Sequence, residues 1–348
     1  MKPIKAAFVS IEGYELNDNE KRWIEHDNPL GIVLFVRNIK SPKQLVKLTK
    51  QIREVSGRSD FLIAVDHEGG RVSRLKPPYF RDYISQASIA SLPINQAKKV
   101  AKLQAELIAH DLKMMGINCN FAPTLDVATP YITNALKNRC FSEDEKVVAG
   151  LGNIIFKTYM KNSVISCIKH FPGHSNADVD PHLHLPIITD FDERFFYPFE
   201  KIAPKAFMGM TAHIVLEQID NLPITFSAKA IREIIRNRFE FKGILVSDAL
   251  EMKALSGNLV EKTQAAISAG CNAVCYCKGD LDGVNEVLNN CGYLDDNSLR
   301  YMQKITKKIQ TNSDIIDIKH KVCEYKALTK DATIYADDYD AVEILNKL

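Results

Sequence analysis

Long hydrophobic runs are missing from this sequence. No segment approaches the ~20 consecutive apolar residues that span a bilayer. The opening Met1-Lys2-Pro3-Ile4-Lys5 leads only into the short run Ala6 to Val9, which Ser10 and Glu12 interrupt. A secretory signal needs a longer apolar stretch and a small-residue cleavage site. An excess of either charge is missing too: 45 Lys and Arg stand against 43 Asp and Glu, a net charge of +2. That balance offers no basic stripe for a nucleic-acid backbone and no acidic tail. The eight cysteines include no CxxC pair, and most lie in apolar runs, as Cys119, Cys167 and Cys275 do. Even the cluster Cys271, Cys275, Cys277 reads as thiols along an apolar strand, Ala273 to Cys277, rather than a metal site. Reduced core thiols in a cytoplasmic protein are therefore expected. Internal repeats, low-complexity segments and Gly/Ser linkers are absent, so residues 1–348 are expected to form one domain. Residues 312–348 are expected as peripheral terminal helices. The lack of a long exposed apolar stripe points to a monomer, with no nucleic-acid or membrane partner.

What is present is a series of short apolar runs rich in Val, Ile and Phe. They are Ala7 to Ile11, Gly31 to Val36, Phe61 to Val65, Cys119 to Ala122, Val164 to Ile168, Phe207 to Ala212, Gly243 to Val246 and Ala273 to Cys277. Continuous runs of this length suit strands buried on both faces of a parallel sheet. Amphipathic helical patterns lie between them. Pro93 to Met115 ends at Gly116, and Leu259 to Ala269 ends at Gly270; Glu143 to Met160 and Ala228 to Arg238 behave similarly. Eight strands alternating with helices predict an α/β fold, a (β/α)8 TIM barrel.

In such barrels the chemistry sits at the C-terminal ends of the strands. Here one apolar run after another ends in a polar group: Asp66, Asp126, Lys169 with His170, His213 and Asp248. A core strand needs no charge at its end, so the pattern favours an enzyme. The densest segment is Lys169-His170-Phe171-Pro172-Gly173-His174, followed by Asp178, Asp180, His182 and His184. Pro172 and Gly173 make the residues beyond a loop. These groups could ligate a metal through His170, His174, His182 and Asp180. Alternatively Asp180 could accept the imidazole N–H of His182, fixing its tautomer and raising its proton affinity. Asp248, just after a buried strand, could be a nucleophile, a metal ligand, a substrate anchor or a helix cap. Spacing alone leaves these alternatives open.

Several separate motifs, in order, resemble the family-three glycoside hydrolases, in particular bacterial β-N-acetylhexosaminidases of cell-wall recycling. They are GIVLFVRN (31–38), VDHEGGRVSRL (65–75), FAPTLDV (121–127), NRCFSED (138–144), KHFPGH (169–174) and SDALEM (247–252). The resemblance spans roughly Gly13 to Lys278. It implies that Asp248 attacks the anomeric carbon, with His182 as proton donor and then base and Asp180 as its dyad partner. The family's sugar-binding positions fall on Asp66, Arg74, Arg139, Lys169 and His170. The D-x-H loop on a single-domain plan goes with N-acetylglucosamine substrates, and the family uses no metal or cofactor. Retaining glycosidases more often pair two carboxylates, so the histidine acid is an implication of the family. The expected partner is a small carbohydrate, a fragment carrying N-acetylglucosamine on anhydro-N-acetylmuramic acid. Four positions depart from the family pattern: Ser175 for glycine, Pro181 for serine, Lys278 for asparagine and Cys140 for serine. None removes a catalytic group.

Overall fold

The computed structural model describes residues 2–174, 176, 177, 179–310 and 317–335. Eight strands close into a parallel barrel: β1 (Lys5–Ser10), β2 (Pro29–Leu34), β3 (Leu62–Val65), β4 (Cys119–Asn120), β5 (Ile165–Phe171), β6 (Met208–Thr211), β7 (Ile244–Ala249) and β8 (Ala273–Tyr276). Each pairs with its neighbours in chain order. β1 meets β8 through Ala7 opposite Val274, which closes the ring. All eight apolar runs of the sequence supply a strand. β2, β3, β5 and β8 are buried along their whole length, which explains why they show no polar alternation.

Local chemistry sets the helix ends. The helix Leu259–Ala269 begins in a capping box, with Asn258 and Glu261 each satisfying the other's backbone N–H, and ends at Gly270, whose φ of 113° suits glycine. The helix Ile94–Met114 stops just before Gly116, and Glu145–Lys161 starts at the Asp144 cap. The Ala228 segment is helical for three residues and then widens into a π-helical stretch, Ile231–Arg238.

One close approach matters for the site. A Cβ at Gly209 on β6 would lie 2.1 Å from Cε2 of Phe171 on β5. Phe171 also packs on Phe199 and Phe241, with ring centroids 5.0 and 4.9 Å away. The bare backbone at 209 therefore seats Phe171, and with it the strand end that carries Lys169 and His170. Within the tail, the helix Ile318–Thr329 packs on the outside against Ile94–Met114 through Tyr325, whose hydroxyl donates to Gln104 Oε1 at 2.6 Å. Residues 312–316 and 336–348 lie outside the described residues. No helix among the described residues is long and apolar enough to cross a membrane.

Candidate active site

The polar strand ends converge on one pocket at the C-terminal mouth of the barrel. Asp66, Arg74, Arg139, Lys169, His170, His182 and Asp248 all line it. Asp180 stands behind His182 rather than in the wall. Ser175 and Asp178 lie outside the described residues.

The β3–β5 side of the mouth is an ion-pair network. Lys169, 2% exposed, places Nζ 2.7 Å from both Asp66 Oδ1 and Glu68 Oε1. Arg139 forks onto both oxygens of Glu68 at 2.9 and 3.0 Å, and Arg74 donates to Asp66 Oδ2 at 3.2 Å. Burial disfavours every one of these charges, yet each carboxylate faces two cations. Asp66 and Glu68 are thus held below the usual carboxylate range, and Lys169 is held above its ordinary value. The result is a wall of fixed donors and acceptors. Glu68 is a member that strand-end reasoning missed. It lies two residues past Asp66, inside the VDHEGG motif, and its 1% exposed carboxylate aligns both Lys169 and Arg139.

Asp126 organises the next layer. Its Oδ2 accepts from His170 Nδ1 at 2.7 Å, and its Oδ1 lies 3.0 Å from His174 Nδ1. The backbone N–H groups of both histidines also point at this fully buried carboxylate. His170 Nε2 then faces Arg139 at 3.4 Å. Burial lowers the His170 pKa from its ordinary value, against the pull of Asp126. Among the described residues, Asp126, His170 and His174 could hold a metal ion. Their Nδ1 atoms are already engaged by Asp126, and His182 stands outside this cluster on its own carboxylate.

His182 and Asp180 form a compact dyad. Oδ1 of Asp180 accepts from the His182 backbone N–H at 2.9 Å and meets Nδ1 at 2.7 Å. With Nδ1 occupied, Nε2 is the nitrogen left for chemistry. Burial opposes ionisation of Asp180, but the histidine's hydrogen bond holds the carboxyl below its ordinary value. The loop docks on the segment following Asp248: Ala254 N–H donates to Pro181 O at 3.2 Å and Lys253 N–H to His182 O at 3.3 Å. The dyad and Asp248 thus share one piece of scaffold.

Asp248 sits near the end of β7, its Oδ1 accepting from the Ala249 N–H at 2.8 Å. Burial alone would raise this carboxyl. His170 and His213, which are cationic in the acid range where Asp248 titrates, and the Ala249 hydrogen bond outweigh that and bring it to about 2. His213, buried and drawn down to about 4, is hydrogen-bonded to Thr225 and to the Ala249 carbonyl, so it braces the Asp248 turn. Asp248 is therefore ionised at neutral pH, an anion in the pocket that the ion-pair wall also lines.

Such a barrel mouth, with an ionised carboxylate, a separate imidazole on its own carboxylate and a wall of buried ion pairs, suits a carbohydrate-acting hydrolase. The chain belongs to glycosyl hydrolase family 3, whose N-terminal domain model matches residues 4–308, and it is a glycoside hydrolase. A β-hexosaminidase of Psychromonas ingrahamii is 34% identical over 298 residues, 83% of this chain and 86% of that protein. The structure of NagZ from Neisseria gonorrhoeae in complex with N-trifluoroacetyl-D-glucosamine superposes with a TM-score of 0.82. It is 28% identical, over 94% of this chain and 98% of that one. The same protein in complex with a zinc ion gives 0.81 at 26% identity, with the same coverage.

Proposed function

We propose that the protein is a retaining exo-β-N-acetylglucosaminidase acting through a covalent glycosyl-enzyme intermediate. The observation that carries this reading is the shared pocket: an ionised carboxylate, Asp248, and His182, backed by Asp180, both border the cavity that Asp66, Lys169 and Arg139 also line. Asp66, Arg74, Arg139, Lys169 and His170 hold the ring hydroxyls. Asp248 attacks the anomeric carbon, and the C1–O bond to the leaving group breaks. His182, its Nδ1 held by Asp180, passes the Nε2 proton to the departing oxygen. The same nitrogen then takes a proton from water as that water displaces Asp248 from C1. Asp180 favours the charged imidazole without itself taking the proton. The mechanism uses neither metal nor cofactor. The similarity to β-hexosaminidases and to a structure holding an N-acylated glucosamine supports the amino sugar. The natural substrate under this reading is a peptidoglycan-derived muropeptide with N-acetylglucosamine on anhydro-N-acetylmuramic acid, handled by a cytoplasmic monomer.

The test compares two leaving groups. His182→Ala is expected to cost on the order of 10²–10⁴ in rate on a natural disaccharide. It should cost far less on p-nitrophenyl N-acetyl-β-glucosaminide, whose nitrophenolate departs without a proton. Asp248→Asn is expected to abolish both. Equal losses on both substrates in His182→Ala would defeat the acid assignment, and an active Asp248→Asn would defeat the nucleophile.

A further inference from the structure

The pocket has a second wall, at the end of β8, that the mechanism above does not use. Residues two apart on an extended chain face the same way. Cys275 and Cys277 accordingly both reach the cavity that Asp248 borders, and their Sγ atoms lie 3.4 Å apart. Cys271, four residues earlier, turns away toward the Thr225 carbonyl. Beside the pair stands Glu251. Its Oε1 accepts from the Cys277 N–H at 2.9 Å, while its buried Oε2 has no hydrogen-bond partner.

We propose that Cys275 and Cys277 form a two-thiolate binding site for a thiophilic d10 divalent cation, cadmium or zinc, on the active-site wall, its remaining coordination positions open to the cavity. Geometry separates this from a redox pair. Two metal–sulfur bonds of about 2.3 Å at a tetrahedral angle set the sulfurs about 3.8 Å apart, so the pair has only to open by about 0.4 Å. A disulfide would draw them to about 2.05 Å. Residues two apart on a strand have Cα atoms about 6.6 Å apart, near the upper limit for such a bond. The step needs no oxidant. The cation displaces one proton from each thiol, two metal–sulfur bonds replace two S–H bonds, and both protons pass to water. Two thiolates neutralise the dication, so the buried wall gains no net charge. A cation held here occupies the wall beside Asp248 and competes with substrate.

The test uses the full chain carrying Cys323→Ser, because Cys323 is the exposed thiol among the described cysteines. Cadmium is titrated under reducing conditions and followed by equilibrium dialysis and by the thiolate-to-cadmium charge-transfer absorbance. One cadmium per chain with that absorbance is expected. Cys277→Ser and, separately, Cys275→Val should each lose the absorbance and the stoichiometric binding, with circular dichroism confirming that both fold. Persistence of the absorbance in either folded variant overturns the proposal. So does stoichiometric binding without the absorbance, which would put the ion on Asp126, His170 and His174, and so does an absence of binding. None of these readouts requires turnover, so they stand or fall apart from the hydrolytic reading.

Discussion

Glu251 offers a sharp measurement of what the pocket does to a buried acid. Its carboxyl is raised from an ordinary 4.5 to about 7, chiefly by burial and further by the anionic Asp248, against hydrogen bonds from its own N–H and that of Cys277. The folded chain therefore holds this proton more tightly than the unfolded chain. Stability contributed by the bound proton is complete below 4.5. It is lost as pH rises through the window from 4.5 to about 7, because the unfolded carboxyl ionises freely there while the folded one resists. The whole difference, at about 1.4 kcal/mol per pH unit, amounts to about 3 kcal/mol. About 2.5 kcal/mol of it falls between pH 5 and pH 8. Glu251→Gln removes the titration. The variant should thus gain stability relative to the parent by about 2.5 kcal/mol between these pH values, whatever constant offset the amide introduces. Urea unfolding followed by Trp23 fluorescence reads this directly, since Trp23 is the chain's only tryptophan and is 3% exposed. A difference between variant and parent that stays flat from pH 5 to pH 8 refutes the argument.

Other substitutions probe the scaffold. Lys169→Met leaves Asp66 and Glu68 without their shared cation in a buried site, so a loss of about 3–5 kcal/mol in urea unfolding is expected. A loss under about 1 kcal/mol would mean that Arg74 and Arg139 suffice. Gly209→Ala should cost about 1–3 kcal/mol through the clash with Phe171. Combining it with Phe171→Leu should recover much of that, which thermal unfolding of the double variant checks. Asp180→Asn keeps a group beside Nδ1 but removes its charge; it should slow natural disaccharides far more than the nitrophenyl substrate, as a side-by-side rate comparison would show.

The barrel was legible because its strands are buried on both faces. Runs such as Ile244 to Val246 and Ala273 to Tyr276 need no alternation to be recognised, and glycines at 116 and 270 mark helix ends by their backbone alone. Strand-end carboxylates and imidazoles likewise revealed where the site lies. What strand ends could not reveal were groups whose importance depends on partners distant in sequence. Glu68 meets Lys169 and Arg139 only after β3 and β5 are brought side by side. Asp126 was visible as a strand-end acid, but its grip on both His170 and His174 requires the β5 loop to fold back over it. Cys275 and Cys277 read as core thiols from their apolar neighbours. The barrel turns this strand end to the cavity, so they border it.

The two halves of the site are held in different ways, and this has a consequence for how the enzyme is tuned. The ion-pair wall sets Lys169, on β5, against Asp66 and Glu68, which follow β3, with Arg139 forked onto Glu68. The Asp180–His182 loop is tied to the segment after Asp248 through backbone bonds at Pro181 and His182. Proline at 181 fixes φ at that contact, so the loop gains stiffness from the chain rather than from core packing. On the proposed mechanism, substitutions in this loop act first on proton delivery. On the same reading, substitutions in the wall act on affinity and stability together. Pro181→Ser should accordingly shift kcat on poor leaving groups while KM and unfolding free energy stay near parental values. A matching rise in KM would show that the loop also grips the sugar.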